Sequence, residues 1–455
     1  MSSNRRQYFG TDGIRGKANT PPMTADMALR VAMATAYVLR AKQKGNVMNR
    51  AVIGKDTRLS GYMLEQAMAS GFVAMGMEVI FTGPVPTPAI AMLTRSLRAD
   101  IGVMISASHN PYQDNGIKLF GSDGYKLSDA LELEIESALE MDQNELLPSP
   151  DLIGKAFRID DAGGRYIEFL KGGMPKGESL KGLRIVVDGA HGAAYKIAPQ
   201  LLWELEADVV SIGDRPDGRN INDGFGATDV ANLQKKVVEE KADLGIALDG
   251  DADRLIMVDE TGRKIDGDQL MALLAVSMKE RGALAHDTLV TTVMSNLGLE
   301  RFLESKKIKL ERTAVGDRYV VERMRSGGFN LGGEQSGHII LSDFGTTGDG
   351  LLAAMQVLGV IQKSGKKASE VCKLFEPLPQ LLKNVRFDPS KKPLDDESVK
   401  SAIGAAEKTL LNNGRLLIRK SGTEPLIRVM AEGDDEKKIQ KIVGDLCDVI
   451  EKAAG

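Results

Sequence analysis

The chain has 455 residues, of which 42% are hydrophobic and 27% charged, with a formal net charge of −4. This length is too great for one hydrophobic core and predicts three or four domains. Acidic and basic residues are interspersed, and the apolar runs are short, so we expect neither a nucleic-acid partner nor a membrane partner. The only cysteines are Cys372 and Cys447, and no apolar signal region follows the N-terminus. We therefore expect a cytoplasmic protein with free thiols, and the composition leaves a homodimer open.

Short β-branched runs alternate with amphipathic stretches, a pattern typical of an α/β fold with buried strands. Residues 99–105 resemble residues 242–248 and, more faintly, residues 329–333. Each copy leads into a polar loop and follows an earlier strand candidate by about 40 to 60 residues; these earlier candidates are residues 51–54, 183–187 and 288–293. We predict three related α/β units, each with a functional loop at the carboxyl end of a strand, where ligands usually bind.

Changes in composition indicate where these units end. Residues 143–151 are predicted as a surface loop, and residues 157–170 as a bridging helix. A segment with four prolines, 374–393, precedes a smaller α+β unit. In that unit we predict helices near 397–412 and 434–452, with a strand–loop–strand over 416–430 between them. The predicted domains are 1–155, 156–256, 257–373 and 374–455.

The loop at residues 249–254, DGDADR, is acidic. Alternate residues of an extended segment face the same way, so the carboxylates of Asp249, Asp251 and Asp253 are expected to converge. Oxygen ligands without His or Cys favour Mg²⁺ or Ca²⁺ over zinc. With Glu260 the spacing also fits an EF-hand calcium loop, but Arg254 stands where that loop needs glycine, and strands are predicted on both sides. We interpret the loop as a magnesium site, with a solvated acidic turn as the alternative.

The loop at residues 106–111, SASHNP, follows a predicted buried strand and contains Ser108, a candidate nucleophile. His109 beside it would suit a hydrolase, but no G-x-S-x-G sequence surrounds Ser108. The structural alternative is a turn in which a serine hydroxyl closes the strand. The loop leads to NGIK at residues 115–118, and its counterpart in the repeat is the acidic loop. These two associations favour a catalytic role.

Three further loops have compositions that suit anionic or polar ligands. In FGTDGIRG, residues 9–16, glycines frame Arg15 and let a ligand approach the backbone. Residues 332–338, GGEQSGH, offer polar groups that suit an amino sugar. Residues 419–425, RKSGTEP, together with Arg428, predict a phosphate-binding nest. Each loop alone is also compatible with an ordinary polar turn, and the weaker candidates are Asp317 and Arg318.

Taken in chain order, these motifs resemble those of the α-D-phosphohexomutase superfamily, from residue 8 to about residue 430. They are most similar to its bacterial branch acting on phosphoglucosamine; phosphomannomutase and phosphoglucomutase relatives carry close variants. The resemblance implies four domains around a central cleft, the first three sharing one α/β topology. In that scheme the predicted domains carry, in order, the phosphoserine, the metal, the sugar-recognition loop and a phosphate-binding site.

The resemblance also implies roles for single residues. Ser108 would be the phosphoserine, and it would share one Mg²⁺ with Asp249, Asp251 and Asp253. Lys118 is similar in position to the family's general acid/base, and the other catalytic candidates are Arg15, His109 and His338. The implied sugar contacts are Glu334 and Ser336. The implied contacts of the non-reacting phosphate are Arg419, Ser421, Gly422, Thr423 and Arg428.

The implied reaction interconverts glucosamine 6-phosphate and glucosamine 1-phosphate through a 1,6-bisphosphate, and it would feed UDP-N-acetylglucosamine and cell-wall precursor synthesis. The rival hypotheses are the same reaction on mannose or glucose phosphates, a metal-dependent sugar phosphatase, and a non-catalytic sugar-phosphate sensor. All the catalytic readings need one arrangement in space. The hydroxyl of Ser108 must lie beside the aspartate triplet.

Overall fold

The computed structural model describes residues 6–42, 49–174, 177–411, 413–420 and 425–454. In this part of the chain four β-sheets follow one another in sequence, and each is packed with its own helices. We refer to each sheet with its helices as a unit and number the units from one to four. No helix in the described ranges is long and apolar enough to cross a bilayer.

Unit one contains a seven-stranded sheet. Its strands are β1 (Phe9–Gly10), β2 (Gly13–Lys17), β3 (Arg50–Lys55), β4 (Glu78–Pro84), β5 (Ile101–Ile105), β6 (Asp114–Gly121) and β7 (Ala156–Arg158). Their order across the sheet is β1-β2-β6-β5-β3-β4-β7. The helices are α1 (Ala25–Lys42), α2 (Ser60–Ala74), α3 (Thr87–Ser96) and α4 (Asp129–Leu139), followed by short 3₁₀ turns at Gln143–Leu146 and Pro150–Leu152.

Unit two contains a five-stranded sheet. Its strands are β8 (Arg184–Asp188), β9 (Asp208–Ile212), β10 (Leu244–Leu248), β11 (Leu255–Asp259) and β12 (Lys264–Ile265). They lie in the order β12-β11-β10-β8-β9. The helices are α5 (Ala162–Lys171), α6 (Ile197–Glu204) and α7 (Ala231–Glu240).

Unit three contains a four-stranded sheet. Its strands are β13 (Thr288–Thr292), β14 (Lys309–Thr313), β15 (Leu331–Gly333) and β16 (Ile339–Leu341), in the order β14-β13-β15-β16. Its helices are α8 (Gly267–Glu280), α9 (Leu297–Ser305), α10 (Asp317–Gly327), α11 (Gly350–Ser364) and α12 (Ala368–Val371), and a 3₁₀ turn occupies Ala285–Asp287.

Unit four is smaller and its sheet is antiparallel. The strands are β17 (Gln380–Arg386), β18 (Gly414–Lys420) and β19 (Leu426–Gly433), with β19 in the centre. Two helices, α13 (Glu397–Leu410) and α14 (Glu436–Ala454), pack with this sheet around a separate hydrophobic core, and a 3₁₀ turn occupies Pro393–Asp395. The predicted α+β character of this unit is confirmed.

The predicted internal repeat is also confirmed, because the first three units share one strand arrangement. In each, a central strand (β3, β8 or β13) pairs in parallel with two others, and the second of these pairs with an antiparallel strand. The resulting orders are β6-β5-β3-β4, β11-β10-β8-β9 and β16-β15-β13-β14. The three polar loops singled out in the sequence lie at one equivalent place, between the last parallel strand and the antiparallel one. The fold class is therefore α/β, as predicted.

Burial explains why the inner strands of these sheets consist mainly of apolar and β-branched residues. All five residues of β5, β10 and β13 are buried, because helices cover the faces of these sheets. One continuous hydrophobic core extends through the first three units and includes Ile90, Tyr166, Leu248 and Leu351. The three loops are therefore carried by packed strands whose relative positions are fixed by that core.

One predicted element is wrong. The bridging helix expected over residues 157–170 begins only at Ala162, and Ala156–Arg158 instead form β7, which pairs in parallel with β4. The exposed edge of β4 presents unpaired backbone groups, and these three residues satisfy them. A local pattern does not reveal that requirement. The loop expected at residues 143–151 contains the two short 3₁₀ turns.

A buried hydrogen bond between units two and three gives a test of the packing. The hydroxyl of Tyr166, in α5, donates to Oδ1 of Asp349 at 2.8 Å, and Asp349 caps α11. Removing a buried partner costs about 1–3 kcal/mol. We expect Tyr166→Phe to lower the free energy of unfolding by that amount and to lower the thermal midpoint as well. Tyr62→Phe is the control, since Tyr62 is 61% exposed. Equal stability of both variants and the parent would contradict this role.

Candidate active site

Ser108 lies directly beyond the carboxyl end of β5, in the loop to β6. Its backbone is left-handed, with φ of 52°, and its side chain is buried. The backbone N–H of Ser108 donates to Oγ of Ser106 at 2.9 Å, and the Ser106 hydroxyl in turn donates to Asp56 at 2.6 Å. The serine is therefore held in one orientation by a chain of buried hydrogen bonds.

A fully buried arginine also fixes this loop. Arg58 is ion-paired with Asp56 and donates to the carbonyl oxygens of Ser108, at 3.2 Å, and Asn110. From unit two, Asn222 donates to the same two oxygens at 2.9 and 3.0 Å. These three supporting residues were not predicted from the sequence. Asp56 and Arg58 directly follow β3, the parallel neighbour of β5, so the rule that strand ends meet at one sheet edge could have identified them.

The acidic loop lies against the serine, as predicted. Ser108 Oγ donates to Oδ2 of Asp249 at 2.6 Å. Asp249, Asp251 and Asp253 are all buried, and one oxygen of each lies within 4.8 Å of the others. Close approach of the two loops requires Gly250, because a Cβ there would come within 2.6 Å of the carbonyl oxygen of Ser108. The spatial condition on which the catalytic readings depend is satisfied.

The acidic loop connects β10 and β11, which pair as antiparallel strands. The helical flanks of an EF-hand are absent from this described segment, and the calcium-loop alternative is therefore wrong. The loop is instead a tight connection at the carboxyl end of a buried strand. The backbone N–H of Arg254 closes it by donating to Oδ1 of Asp249 at 3.2 Å.

The chemistry of the cluster fits a divalent cation. Oδ1 of Asp251 and Oδ1 of Asp253 are buried and accept no hydrogen bond from the described residues. A buried charged oxygen that accepts no hydrogen bond is costly, and a cation shared by the three carboxylates would reduce that cost. Since the donors are all carboxylate oxygens, the site suits a hard cation. These three aspartates can therefore hold a metal ion.

Crowding of negative charge separates the pKa values within the triplet. Burial, together with the charges of Asp253 and Asp251, raises the pKa of Asp249 to about 7. Burial also acts to raise the pKa of Asp253, but Lys118, His338 and Arg254 outweigh it and hold this pKa well below its usual range. The cluster thus depends on the cations around it.

Lys118, on β6, is the cation most deeply placed in the cluster. Its Nζ lies 2.7 Å from Oδ2 of Asp251, 3.5 Å from Oδ2 of Asp253 and 3.4 Å from Oδ2 of Asp12. Burial disfavours the charged amine, but these three carboxylates dominate and raise its pKa above the usual range. Lys118 is therefore held as an ammonium group in this arrangement.

Arg15 stands at the edge of the same cluster through Asp12. Arg15 and Asp12 form an ion pair, and Asp12 also contacts Lys126, which in turn contacts Asp317 of unit three. The turn that presents Asp12 needs glycine at position 13, where φ is 80° and a Cβ would lie 2.2 Å from a backbone oxygen of β6. Asp12 and Lys126 were not among the predicted site residues, and Lys126 stands in a segment with no motif of its own.

The two candidate histidines differ in charge. Nδ1 of His109 lies 3.3 Å from Ser108 Oγ. Burial, then Arg254 and Arg15, lower the pKa of His109 to about 4, which keeps the ring neutral. His338 lies with Nδ1 3.5 Å from Asp253 and Nε2 3.6 Å from Asp317.

The charge of His338 reflects opposing influences. A backbone N–H, from residue 348, points at Nε2 from 3.2 Å, a contact that only the neutral ring accepts. Burial also favours the neutral form. The carboxylates of Asp253, Asp317 and Glu334 outweigh both and raise the pKa of His338 to about 9. We therefore take His338 as a cation at neutral pH.

The third polar loop, between β15 and β16, joins the acidic loop through the backbone. Arg254 and His338 form an isolated antiparallel bridge, and the N–H of Leu255 donates to the carbonyl oxygen of Gly337 at 2.9 Å. Glu334 is half-buried and accepts a hydrogen bond from a backbone N–H at 3.2 Å. Ser336 is exposed. The loop that carries both side chains is thus joined directly to the acidic loop.

The predicted phosphate nest is only partly described. Ser421, Gly422 and Thr423 lie outside the described residues. Arg419 and Arg428 face each other in register on β18 and β19, and the buried Nε of each lacks a hydrogen-bond partner among the described residues. Burial and the nearby charge of Arg428 lower the pKa of Arg419. Two adjacent, incompletely paired guanidinium groups are suited to an anion.

Unit four is connected to unit three by hydrogen bonds. Arg415 donates to the carbonyl oxygen of Ser295 at 3.0 Å, and the N–H of Leu297 donates to Glu432 at 3.2 Å. Within the described residues, Arg419 and Arg428 make no hydrogen bond to the aspartate triplet. The structure therefore brings together the predicted residues of units one to three, and it places the arginine pair on a separate sheet.

Comparison with known proteins agrees with this architecture. Sequence models of the phosphoglucomutase/phosphomannomutase α/β/α domains I, II and III match residues 6–145, 164–262 and 266–378, and that of the C-terminal domain matches residues 382–449. The chain therefore belongs to the phosphoglucomutase/phosphomannomutase family.

Full-length relatives carry a more specific name than the family does. The chain is 62% identical over 446 residues to a phosphoglucosamine mutase of Rhizobium rhizogenes, covering 98% of both chains. It is 61% identical over 449 residues to a phosphoglucosamine mutase of Xanthobacter autotrophicus, covering 99% of both.

Solved structures share the fold. A phosphoglucomutase/phosphomannomutase family protein of Burkholderia thailandensis superposes with a TM-score of 0.81 at 23% identity, covering 98% of this chain and 97% of the other. Aspergillus fumigatus N-acetylphosphoglucosamine mutase, in complex with GlcNAc-6P and magnesium, gives 0.67 at 18% identity, with coverage of 100% and 97%.

The two buried carboxylate oxygens that accept no hydrogen bond lead to a prediction about metal binding. We expect added Mg²⁺ to raise the thermal midpoint, because binding to the folded state at 100 times the dissociation constant stabilises it by about 2.7 kcal/mol. Asp251→Asn should lose most of this gain. Asp208→Asn, a change at an exposed carboxylate, should keep it. An equal Mg²⁺ response in all three proteins, measured by calorimetry, would contradict the site.

Proposed function

We propose that this chain is a phosphoglucosamine mutase, an isomerase that interconverts glucosamine 6-phosphate and glucosamine 1-phosphate. Full-length relatives of 61–62% identity that bear this name support the substrate. The observation that carries the chemistry is the 2.6 Å contact between Ser108 Oγ and Asp249 within a buried three-carboxylate cluster. A nucleophilic oxygen and a site for a divalent cation, side by side, are what phosphoryl transfer requires.

We propose that the resting enzyme carries a phosphoryl group on Ser108. In the first half-reaction the bond between phosphorus and Ser108 Oγ breaks, and phosphorus bonds to the C1 hydroxyl oxygen of glucosamine 6-phosphate. The sugar hydroxyl loses its proton, and Ser108 Oγ regains one. The product of this step is the 1,6-bisphosphate.

The second half-reaction restores the enzyme. After the bisphosphate has turned over, the bond between phosphorus and the C6 oxygen breaks and phosphorus bonds to Ser108 Oγ. The Ser108 hydroxyl loses its proton in this step, and the C6 oxygen takes one up. Glucosamine 1-phosphate then leaves. The rigid support of Ser108 by Ser106 and Arg58 suits an oxygen that must present the same orientation in both half-reactions.

The proposed cofactor is one Mg²⁺, held by Asp249, Asp251 and Asp253. When bound, such an ion neutralises charge on the transferring phosphoryl group. The protein's own cations supply further positive charge: Arg254 lies 3.9 Å from both Asp249 and Asp253. Together these groups would stabilise a loose transition state whose charge is spread over several oxygens.

Lys118 is the proposed acid/base, since its ammonium group lies inside the cluster and can donate the proton that an oxygen needs when phosphorus departs. Arg15 and His338 are proposed as charge-stabilising neighbours. His109, a neutral ring 3.3 Å from Ser108 Oγ, is proposed to orient that hydroxyl.

Substrate recognition is proposed for the loops of units three and four. Glu334 and Ser336 would contact the sugar, and the carboxylate suits its amino group. Arg419 and Arg428, with Ser421, Gly422 and Thr423, would hold the phosphate that is not reacting. This gives the proposed domains 1–155, 156–256, 257–373 and 374–455 their tasks: phosphoryl carrier, metal site, sugar recognition and phosphate recognition.

The proposed setting is the reducing cytosol. Cys372 and Cys447 are free and buried in different units. Burial raises the pKa of Cys372 to about 12, which keeps it as an unreactive thiol. Neither residue contributes to the chemistry proposed above.

The substrate is tested by comparing kcat/KM for glucosamine, mannose and glucose 6-phosphates. We expect glucosamine 6-phosphate to be favoured by about tenfold or more, because a site that binds an amino group leaves a polar group unpaired with the analogues. Inorganic phosphate is measured in parallel. A preference for mannose or glucose would overturn the substrate, and steady release of phosphate in place of isomerisation would overturn the mutase.

The phosphoserine is tested by Ser108→Ala. We expect mutase activity to fall by about 10³-fold or more, since the variant has no oxygen to carry the phosphoryl group. Intact-protein mass measurement should find a phosphoryl group on the parent and none on the variant. Ser137→Ala, an exposed change in unit one, is the control. Residual activity near that of the parent would remove Ser108 from the mechanism.

A further inference from the structure

We propose that Lys126 and Asp317 are positioning residues, which hold Lys118 against the aspartate cluster by acting through Asp12. The inference rests on the mutase function proposed above. Neither residue contacts Ser108 or the aspartate triplet in the described structure, so any effect on the reaction must pass through an intermediate group.

The geometry behind the proposal is a closed ring of contacts in which basic and acidic side chains alternate. Units one, two and three all contribute to it. In order around the ring, the members are Lys118, Asp12, Lys126, Asp317, His338 and Asp253. Each lysine of the ring thus has a carboxylate on both sides.

One half of the ring lies at the proposed reaction centre. Nζ of Lys118 is 3.5 Å from Oδ2 of Asp253, and Oδ1 of Asp253 is 3.5 Å from Nδ1 of His338. The ring continues from Nε2 of His338 to Oδ2 of Asp317, at 3.6 Å. These contacts connect the acid/base candidate to unit three through unit two.

The other half is the connection made by Lys126. Its Nζ forms ion pairs with Oδ1 of Asp12 and Oδ2 of Asp317, and Oδ2 of Asp12 lies 3.4 Å from Nζ of Lys118. Asp12 therefore offers Oδ1 to Lys126, while Oδ2 is shared by Lys118 and Arg15. Exposure of the Lys126 and Asp317 side chains is only 14% and 13%, so solvent screens these charges weakly.

This sharing determines what the loss of Lys126 would do. In the intact ring, Lys118 lies closest to Asp251, at 2.7 Å, because Lys126 satisfies one oxygen of Asp12. Without Lys126, Asp12 keeps Lys118 and Arg15 as its cations and attracts Lys118 more strongly. Lys118 would move away from Asp251, and a displacement of about 1 Å in a reacting group can cost 10²-fold in rate.

The substrate-binding candidates lie outside the ring. Glu334 and Ser336 are in the loop before His338, and Arg419 and Arg428 are in unit four. Loss of Lys126 should therefore slow turnover with little change in substrate affinity. A purely structural ion pair between units one and three would behave differently: its loss would lower stability and leave the kcat of the folded fraction unchanged.

The test measures steady-state kinetics of the full-length protein on glucosamine 6-phosphate. We expect Lys126→Met to lower kcat by about 10- to 100-fold and to change KM by less than about threefold. Lys126→Arg, which retains the charge, should recover kcat to within about threefold of the parent. The matched control is Lys42→Met, which removes an exposed ion pair in the same unit and should behave as the parent. Thermal midpoints are recorded for every variant.

A double-mutant cycle tests whether the effect passes through Asp12. If it does, Lys126→Met should cost little more in a protein that already carries Asp12→Asn, and the two changes will be far from additive. Additive effects would overturn the proposal. So would a Lys126→Met protein that is less stable but retains the kcat of the parent. Should Lys126→Met fail to fold, Asp317→Asn is measured in its place, with the same expectation for kcat and KM.

Failure of the proposed function is distinguishable from failure of this inference. A parent protein that isomerises none of the hexose phosphates would overturn the mutase assignment itself. An active parent whose kcat is unchanged by both Lys126→Met and Asp317→Asn would overturn only the positioning role.

Discussion

The structure depends on burying three carboxylates, Asp249, Asp251 and Asp253, in one small volume. Concentrated negative charge is strongly disfavoured away from water unless cations are close. The surrounding chain supplies them from different units: Lys118 from unit one, Arg254 from unit two and His338 from unit three. The need to balance this charge therefore explains why three separate sheets direct their loops to the same place.

The repeated topology makes this convergence simple to build. Each of the first three units displays a loop at an equivalent position, and backbone contacts join the units there. The N–H of Thr87, at the start of α3 in unit one, donates to the carbonyl oxygen of Asp251, and residues 254 and 338 form a bridge between the loops of units two and three. The site is therefore the meeting point of three versions of one supersecondary unit, each modified for a different task.

Much of the fold and of the candidate site could be predicted from the sequence, because strands and motifs are encoded by residues that are close together in the chain. β-Branched runs identified the strands that carry the loops, and the motifs identified Ser108 and the aspartates. Among the residues that were missed, Lys126 has remote partners: it lies 191 positions from Asp317, itself only a weak candidate, and it belongs to no motif. Strand β7 was missed for a related reason, because its extended conformation depends on pairing with the edge of β4, which is remote in sequence. The roles given to residues 421–423 remain predictions.

The left-handed backbone of Ser108 has a consequence for which side chain can stand there. Threonine also carries an aliphatic hydroxyl, but its branched Cβ makes a positive φ of this size a severe steric outlier. The loop therefore admits serine and excludes the nearest chemical substitute. Backbone shape thus disfavours the change from serine to threonine at this position before any question of reactivity arises.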